Sequence, residues 1–227
     1  MVNEIAAEMA PNRLDRASLL WCRGLHRLCK LLQGVEDRVL LDGACLWEEI
    51  LVSRPDGGEV RVTATPSQHG PDGTEGLTGP VTGFVLSASD LPTVYISGDN
   101  ASMRVVDQVA ERFPEIEVAV LFAGAAQTPL LGEAYLTLTS AEAAQAARRL
   151  AARWVIPAHF NSWSHYREGA DRPHTAFADA KLSDRLVLLS PGERIRVAHD
   201  GLDSDSRYSA STSHVAPARK VRSNSGA

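Results

Sequence analysis

Short apolar runs of strand length alternate with helix-patterned segments from residue 39 to about residue 197, and three of the runs stop at a proline or glycine just before a histidine or aspartate. Alternation of this kind belongs to an α/β domain, where helices cover a sheet and functional side chains gather on the loops beyond strand ends. The three strings are Thr65-Pro66-Ser67-Gln68-His69-Gly70-Pro71, Ser97-Gly98-Asp99 and Pro157-Ala158-His159-Phe160. Each predicts a side chain able to ligate a metal ion just past a strand.

The individual elements follow from local patterning. Val60, Val62 and Ala64 alternate with Arg61 and Thr63, the period-two pattern of a half-buried strand, and Pro66 ends it because proline donates no backbone hydrogen bond. Gly83-Phe84-Val85-Leu86 and Thr93-Val94-Tyr95-Ile96-Ser97 predict neighbouring strands joined by a turn, with Gly98 permitting a sharp bend before Asp99. Met103, Val106, Ala110 and Phe113 form a helical stripe ended by Pro114, and Val118-Ala119-Val120-Leu121-Phe122 reads as a strand buried on both faces. Thr139 followed by Glu142 is a capping-box signature ahead of an alanine-rich helix over residues 141–152. Trp154-Val155-Ile156 is the third ligand strand, closed by Pro157. Leu186-Val187-Leu188-Leu189, the turn Ser190-Pro191-Gly192 and Ile195-Arg196-Val197 predict a terminal hairpin. Upstream, Leu14, Ala17, Leu20, Trp21, Leu25, Leu28, Leu31 and Leu32 recur at helical spacing over residues 12–33.

Composition narrows the function classes. At 227 residues and 44% hydrophobic, the chain can bury a sizeable core, and the texture predicts one domain over residues 1–200 followed by a tail over 201–227. That tail is rich in Ser, Asp, Arg and Gly and is expected to be disordered. A formal net charge of −5 argues against nucleic-acid binding, and Arg219, Lys220 and Arg222 read as a solvated cluster. The three cysteines, Cys22, Cys29 and Cys45, form neither an even disulfide set nor a metal pair, which points to thiols in a reducing compartment. No apolar run reaches the roughly 18 residues of a membrane span, and the first residues lack the pattern of a signal peptide, so a cytoplasmic chain without membrane contact is expected. No glycine-rich phosphate-binding string occurs, so no nucleotide cofactor is implied.

Taken singly, each ligand candidate has an ordinary reading. A lone loop histidine is usually a surface or hydrogen-bonded residue, and Asp99 alone reads first as the cap of a helix beginning near Ala101. Together, His69, Asp99 and His159 place two imidazoles and a carboxylate at strand ends, and these are donor types that a zinc-class ion accepts.

Five strings then resemble one family. Val62-Thr63-Ala64-Thr65-Pro66-Ser67-Gln68-His69-Gly70-Pro71, Gly79-Pro80-Val81-Thr82-Gly83-Phe84, Tyr95-Ile96-Ser97-Gly98-Asp99, Val120-Leu121-Phe122-Ala123-Gly124-Ala125 and Ile156-Pro157-Ala158-His159-Phe160 are similar to the second half of the metallo-β-lactamase-fold hydrolases. Within that superfamily the chain resembles the branch of ascorbate-6-phosphate lactonase, over residues 12–197. The resemblance implies an αββα sandwich with metal held between two sheets by an HxHxDH motif, a later histidine, a bridging aspartate and a last histidine. By position His69 resembles the later histidine, Asp99 the bridging aspartate and His159 the last histidine, with the two histidines serving different ions.

The HxHxDH string does not occur where the resemblance places it, before Leu14-Asp15, where Glu8-Met9-Ala10-Pro11-Asn12 stand. The expected fold is therefore α/β, a partial αββα metallo-β-lactamase-type sandwich lacking its leading strands. The implied cofactor is zinc or another divalent metal such as Mn or Fe, at reduced occupancy. The implied activity is hydrolysis of a small-molecule ester, lactone or phosphoester, weak or absent in this chain, with no side chain assigned as catalytic. Trp163 and His165 are candidates to line a substrate mouth, or to pack over the sandwich edge. The alternative is a non-catalytic remnant or partner subunit that self-associates through uncovered sheet surface.

Overall fold

The computed structural model describes residues 46–55, 57–190, 193–203 and 219–220. The helical stripe over residues 12–33, the three cysteines and Arg222 lie outside the described residues. So do Pro191 and Gly192 of the predicted turn.

Nine strands and four α-helices are described. The chain runs through β1 (Glu49–Ser53), β2 (Glu59–Pro66), a one-turn helix α1 (Glu75–Thr78), β3 (Thr82–Ala88) and β4 (Leu91–Ile96). Next come α2 (Met103–Arg112), β5 (Val118–Phe122), α3 (Ser140–Arg149), β6 (Trp154–Ala158) and α4 (Asp171–Asp179). Three short strands follow, β7 (Arg196–Ala198), β8 (Gly201–Asp203) and β9 (Arg219–Lys220). The large sheet has the order β6-β5-β4-β3-β2-β1-β9. Strands β1 to β4 pair antiparallel, β1-β2 and β3-β4 through short turns and β2-β3 through residues 67–81 with α1, whereas β4-β5 and β5-β6 pair parallel and need α2 and α3 as crossovers.

Register decides which side chains meet the helices. Thr63, Val85, Tyr95, Ala119 and Val155 stand opposite one another across five strands, and all five are fully buried. This face packs with Val106 and Val109 of α2, Ala143, Ala146 and Ala147 of α3, and Phe177 of α4 in one apolar core. The alanine face of α3 lets that helix lie close against the sheet. The next row, Ala64, Phe84, Ile96, Val120 and Ile156, points to the opposite face and is only half-buried.

The capping box forms as its spacing predicts. Thr139 Oγ1 accepts from the Glu142 amide at 3.2 Å, and the Thr139 amide donates to Glu142 Oε2 at 2.8 Å. Such a cap contributes about 1 kcal/mol. No described helix is long and apolar enough to cross a membrane.

One expectation needs correction. Residues 186–189 are not a hairpin strand: Leu186 makes a single parallel bridge to Val155, and β7 pairs instead with β8. Val187 donates to the Val155 carbonyl at 2.9 Å, so this apolar run is drawn to the free edge of β6 rather than folding back on β7. Beyond residue 200, the described residues are 201–203 and 219–220. Gly201–Asp203 forms β8, and Arg219–Lys220 adds to the edge of β1 opposite Leu51 and Ile50. Edge backbone groups offer hydrogen bonds to any extended segment, whatever its composition.

Candidate functional site

Because β2 is antiparallel to β3 and β3 to β4, strands β2, β4, β5 and β6 all end at one rim of the sheet. His69, Asp99 and His159 lie just beyond three of those ends.

Asp99 is placed by the two residues beside it. Gly98 has a φ of 59°, and a Cβ there would lie 2.6 Å from the Thr82 carbonyl oxygen, so only glycine lets the turn press against β3. Asn100 is fully buried and its side-chain oxygen accepts from the amides of Gln68 and Ser102, both at 3.2 Å. Its amide nitrogen donates to the Ser102 carbonyl at 2.9 Å, and its backbone carbonyl accepts from Leu138 at 2.9 Å. One asparagine thereby joins the His69 loop, the Asp99 loop and the segment entering α3. Asp99 is not the helix cap: Ser102 occupies that position in α2, and its side chain makes no capping hydrogen bond.

His159 takes a left-handed backbone conformation with φ 51°. Its Nδ1 lies 3.0 Å from Asp99 Oδ1, and its ring stacks on Phe122 at 4.1 Å between centroids. Gly124 sits under this turn, where a Cβ would come within 1.9 Å of the His159 carbonyl oxygen. The Gly124 carbonyl accepts from the Arg167 amide at 3.1 Å, which anchors the loop that follows His159.

His69 Nδ1 lies 3.2 Å from the Thr78 carbonyl oxygen at the end of α1. With the proton on Nδ1 donated to that carbonyl, Nε2 keeps its lone pair, the tautomer a metal-ligating histidine commonly adopts. His165 is half-buried, with its ring 4.3 Å from Tyr166 and 5.8 Å from Trp163. Trp163 is half-buried too, and the Tyr166 ring beside His165 lies 6.0 Å from that of His159.

The charges at this rim act on one another. Burial alone would raise the Asp99 carboxyl, but the hydrogen bond from His159 and the charges of His159, His69 and His165 hold it below its ordinary value. Burial and the neighbouring His159 lower His165, while Asp99 acts in the opposite direction.

Metal binding requires more than shared proximity. Among the described residues, no group of three or more His, Cys, Asp or Glu side chains is arranged to hold an ion. A catalytic zinc needs three protein donors at about 2 Å from one point. Asp99 and His159 meet directly and His69 reaches them through its field, so the described residues supply part of a donor set and do not by themselves fit a bound metal.

Comparison with known proteins agrees with the fold. The chain belongs to the beta-lactamase superfamily domain family, whose model matches residues 26–160, more than half of its length. It is 34% identical over 156 residues to a UPF0173 metal-dependent hydrolase of Opitutus terrae, covering 63% of this chain and 61% of that one. A second UPF0173 metal-dependent hydrolase, from Pyrococcus horikoshii, is 26% identical over 138 residues, 61% of this chain and 56% of that protein. The chain thus spans little more than half the length of these relatives. An isothiocyanate hydrolase from Delia radicum gut bacteria superposes with a TM-score of 0.57 at 21% identity, over 65% of this chain and 57% of that one. That likeness is one of fold.

Asn100 and Gly124 escaped the sequence reading as site residues. The Gly98-Asp99-Asn100 string carried a signal for the first, since asparagine at a turn hydrogen-bonds nearby backbone. Gly124 carried none beyond an ordinary turn.

Proposed function

We propose that this chain supplies His69, Asp99 and His159 to the metal site of a metal-dependent hydrolase, completed by donors outside the described residues. The observation that carries this reading is the meeting of Asp99 and His159 at 3.0 Å, at the rim where β2, β4 and β6 end. The hydrolase names of the curated relatives support it. Zinc suits a histidine and carboxylate donor set, and Mn or Fe are alternatives. When bound, such an ion lowers the pKa of a coordinated water and stabilises developing negative charge.

The chain's own residues do the positioning. The Thr78 carbonyl orients the His69 ring, Asn100 holds the His69 and Asp99 loops together, and the Gly124 turn sets His159. The substrates of this reading are small esters, lactones or phosphoesters, hydrolysed in a cytoplasmic setting.

The test is metal stoichiometry of the purified chain by elemental analysis, with a hydrolase screen run alongside. Bound metal that is lost in Asp99→Ala supports the reading. A chain that takes up no zinc, manganese or iron under saturating conditions sinks it.

A second reading rests on the half-buried apolar row Ala64, Phe84, Ile96, Val120 and Ile156. Here the chain is a non-catalytic subunit that associates through this sheet face. Light scattering over a concentration series decides it, with a strictly monomeric chain counting against association.

A further inference from the structure

The loop that follows β6 carries His159 and His165, and its backbone takes conformations that its own residues disfavour. His159 has a φ of 51° and Ser162 a φ of 75°, left-handed values that crowd the Cβ of an ordinary residue. A loop of this kind needs contacts from elsewhere to keep its shape. Residues 124–140 supply them. The Arg167 and Glu168 amides both donate to the Gly124 carbonyl, at 3.1 and 3.4 Å, and the Gln127 amide donates to the His165 carbonyl at 2.9 Å. Tyr166 pairs with Ala126 in an isolated antiparallel bridge.

Those bonds join neutral backbone groups. Glu168 adds a charged one: its Oε2 accepts from the amide of Ser140, the first residue of α3, at 2.7 Å. Hydrogen bonds to a carboxylate are stronger than neutral ones, and the start of a helix favours negative charge. Ser140 is only 2% exposed, so its amide has little water to turn to if the carboxylate leaves. The start of α3 is shared between two carboxylates, Glu142 accepting from the Thr139 amide and Glu168 from that of Ser140. The first belongs to the helix itself. The second belongs to the histidine loop and ties that loop to the helix.

The tie reaches the site through Tyr166, two residues before Glu168. The Tyr166 ring lies 4.3 Å from that of His165 and 6.0 Å from that of His159, whose other neighbour is Phe122 at 4.1 Å. We infer that Glu168 is a positioning residue for His159 and His165. By holding the end of their loop on α3 it fixes the Tyr166 ring against both imidazoles and keeps His159 turned towards Asp99. The hydrolase reading enters only in the use to which His159 is put.

The test compares Glu168→Ala, Glu168→Gln and Glu168→Asp by NMR of the isotope-labelled full chain with chelator present. In Glu168→Ala the Gln127 and Arg167 amides, which pin the loop, should exchange roughly tenfold faster than in the wild type. The imidazole resonances of His159 and His165 should shift, while those of His69, on the loop beyond β2, stay in place. Glu168→Gln keeps an oxygen at the same reach and should restore both imidazoles. Glu168→Asp keeps the charge but falls one methylene short and should not restore them. A lower thermal midpoint in Glu168→Ala with unmoved imidazoles would reduce Glu168 to a helix cap and overturn the inference. Rescue by Asp but not by Gln would overturn it too, because the charge would then act through space and not through the bond to Ser140. Should Glu168→Ala fail to fold, the Gln and Asp variants are read alone by the same criteria. Metal stoichiometry measured separately keeps the two readings apart: the expected imidazole shifts without metal uptake defeat only the hydrolase reading, and uptake with unmoved imidazoles defeats only the role of Glu168.

Discussion

His159 and Asp99 stand sixty residues apart in the chain and meet at 3.0 Å, Nδ1 to Oδ1, with each side chain about 30% exposed. That contact closes the rim between the loop after β4 and the loop after β6, and it crosses β5, which lies between them in the sheet. Partial exposure limits its worth to about 1 kcal/mol. Its larger effect is to fix where both side chains point.

Asp99→Asn removes the charge and keeps the shape. Because Asp99 acts to raise His165, its loss should move the His165 titration further below the ordinary value of 6.5. Imidazole NMR across pH measures this, and an upward shift would contradict the arrangement.

Acid should weaken the fold in two stages. His165 has a folded pKa below 6.5, so its contribution to stability is complete above that value and is lost as pH falls through the folded one. Asp99 is likewise depressed below 3.8, and its contribution persists to lower pH before it is lost in turn. Denaturant midpoints across acid pH should fall in the wild type, and should fall less below pH 3.8 in Asp99→Asn.

Gly124→Ala drives a Cβ into the His159 carbonyl oxygen at 1.9 Å, where backbone on both sides leaves no room to yield. A loss of about 3 kcal/mol is expected, together with movement of His159. Urea unfolding and the His159 imidazole shifts report the two effects.

Asn100→Ala strands the Gln68 and Ser102 amides that its side chain now satisfies. Two part-buried donors left without partners cost about 1–2 kcal/mol together, and the His69 loop should show faster amide exchange than the sheet.

How far the sequence revealed this arrangement depends on the range of the forces involved. His69 and Asp99 stood out because Pro66 and Gly98 mark a strand end and a bend locally, and the Thr139-to-Glu142 cap is local as well, whereas Pro157 does not close its strand, since β6 runs on through it to Ala158. The pairing of β7 with β8, and of Arg219–Lys220 with β1, is set by backbone edges that composition does not encode. Asn100 and Gly124 matter only because distant segments arrive beside them. One glycine or asparagine looks like another until those neighbours are in place.

Tyr95 sits in the core row with its hydroxyl in contact with no hydrogen-bond partner among the described residues, and burial pushes its ionisation well above 10. Tyr95→Phe should therefore be neutral or stabilising by about 1 kcal/mol, a gain seen as a higher thermal midpoint.

The parallel run β4-β5-β6 also orders events during synthesis. Each parallel pair must wait for a whole helix to leave the ribosome, whereas β3 and β4 can zip as a hairpin once the turn between them emerges. A nascent chain that has reached α2 already displays Asp99, yet its partner His159 is still untranslated. Half of the rim is thus built by early, local folding, and the other half becomes available only when β6 completes the sheet.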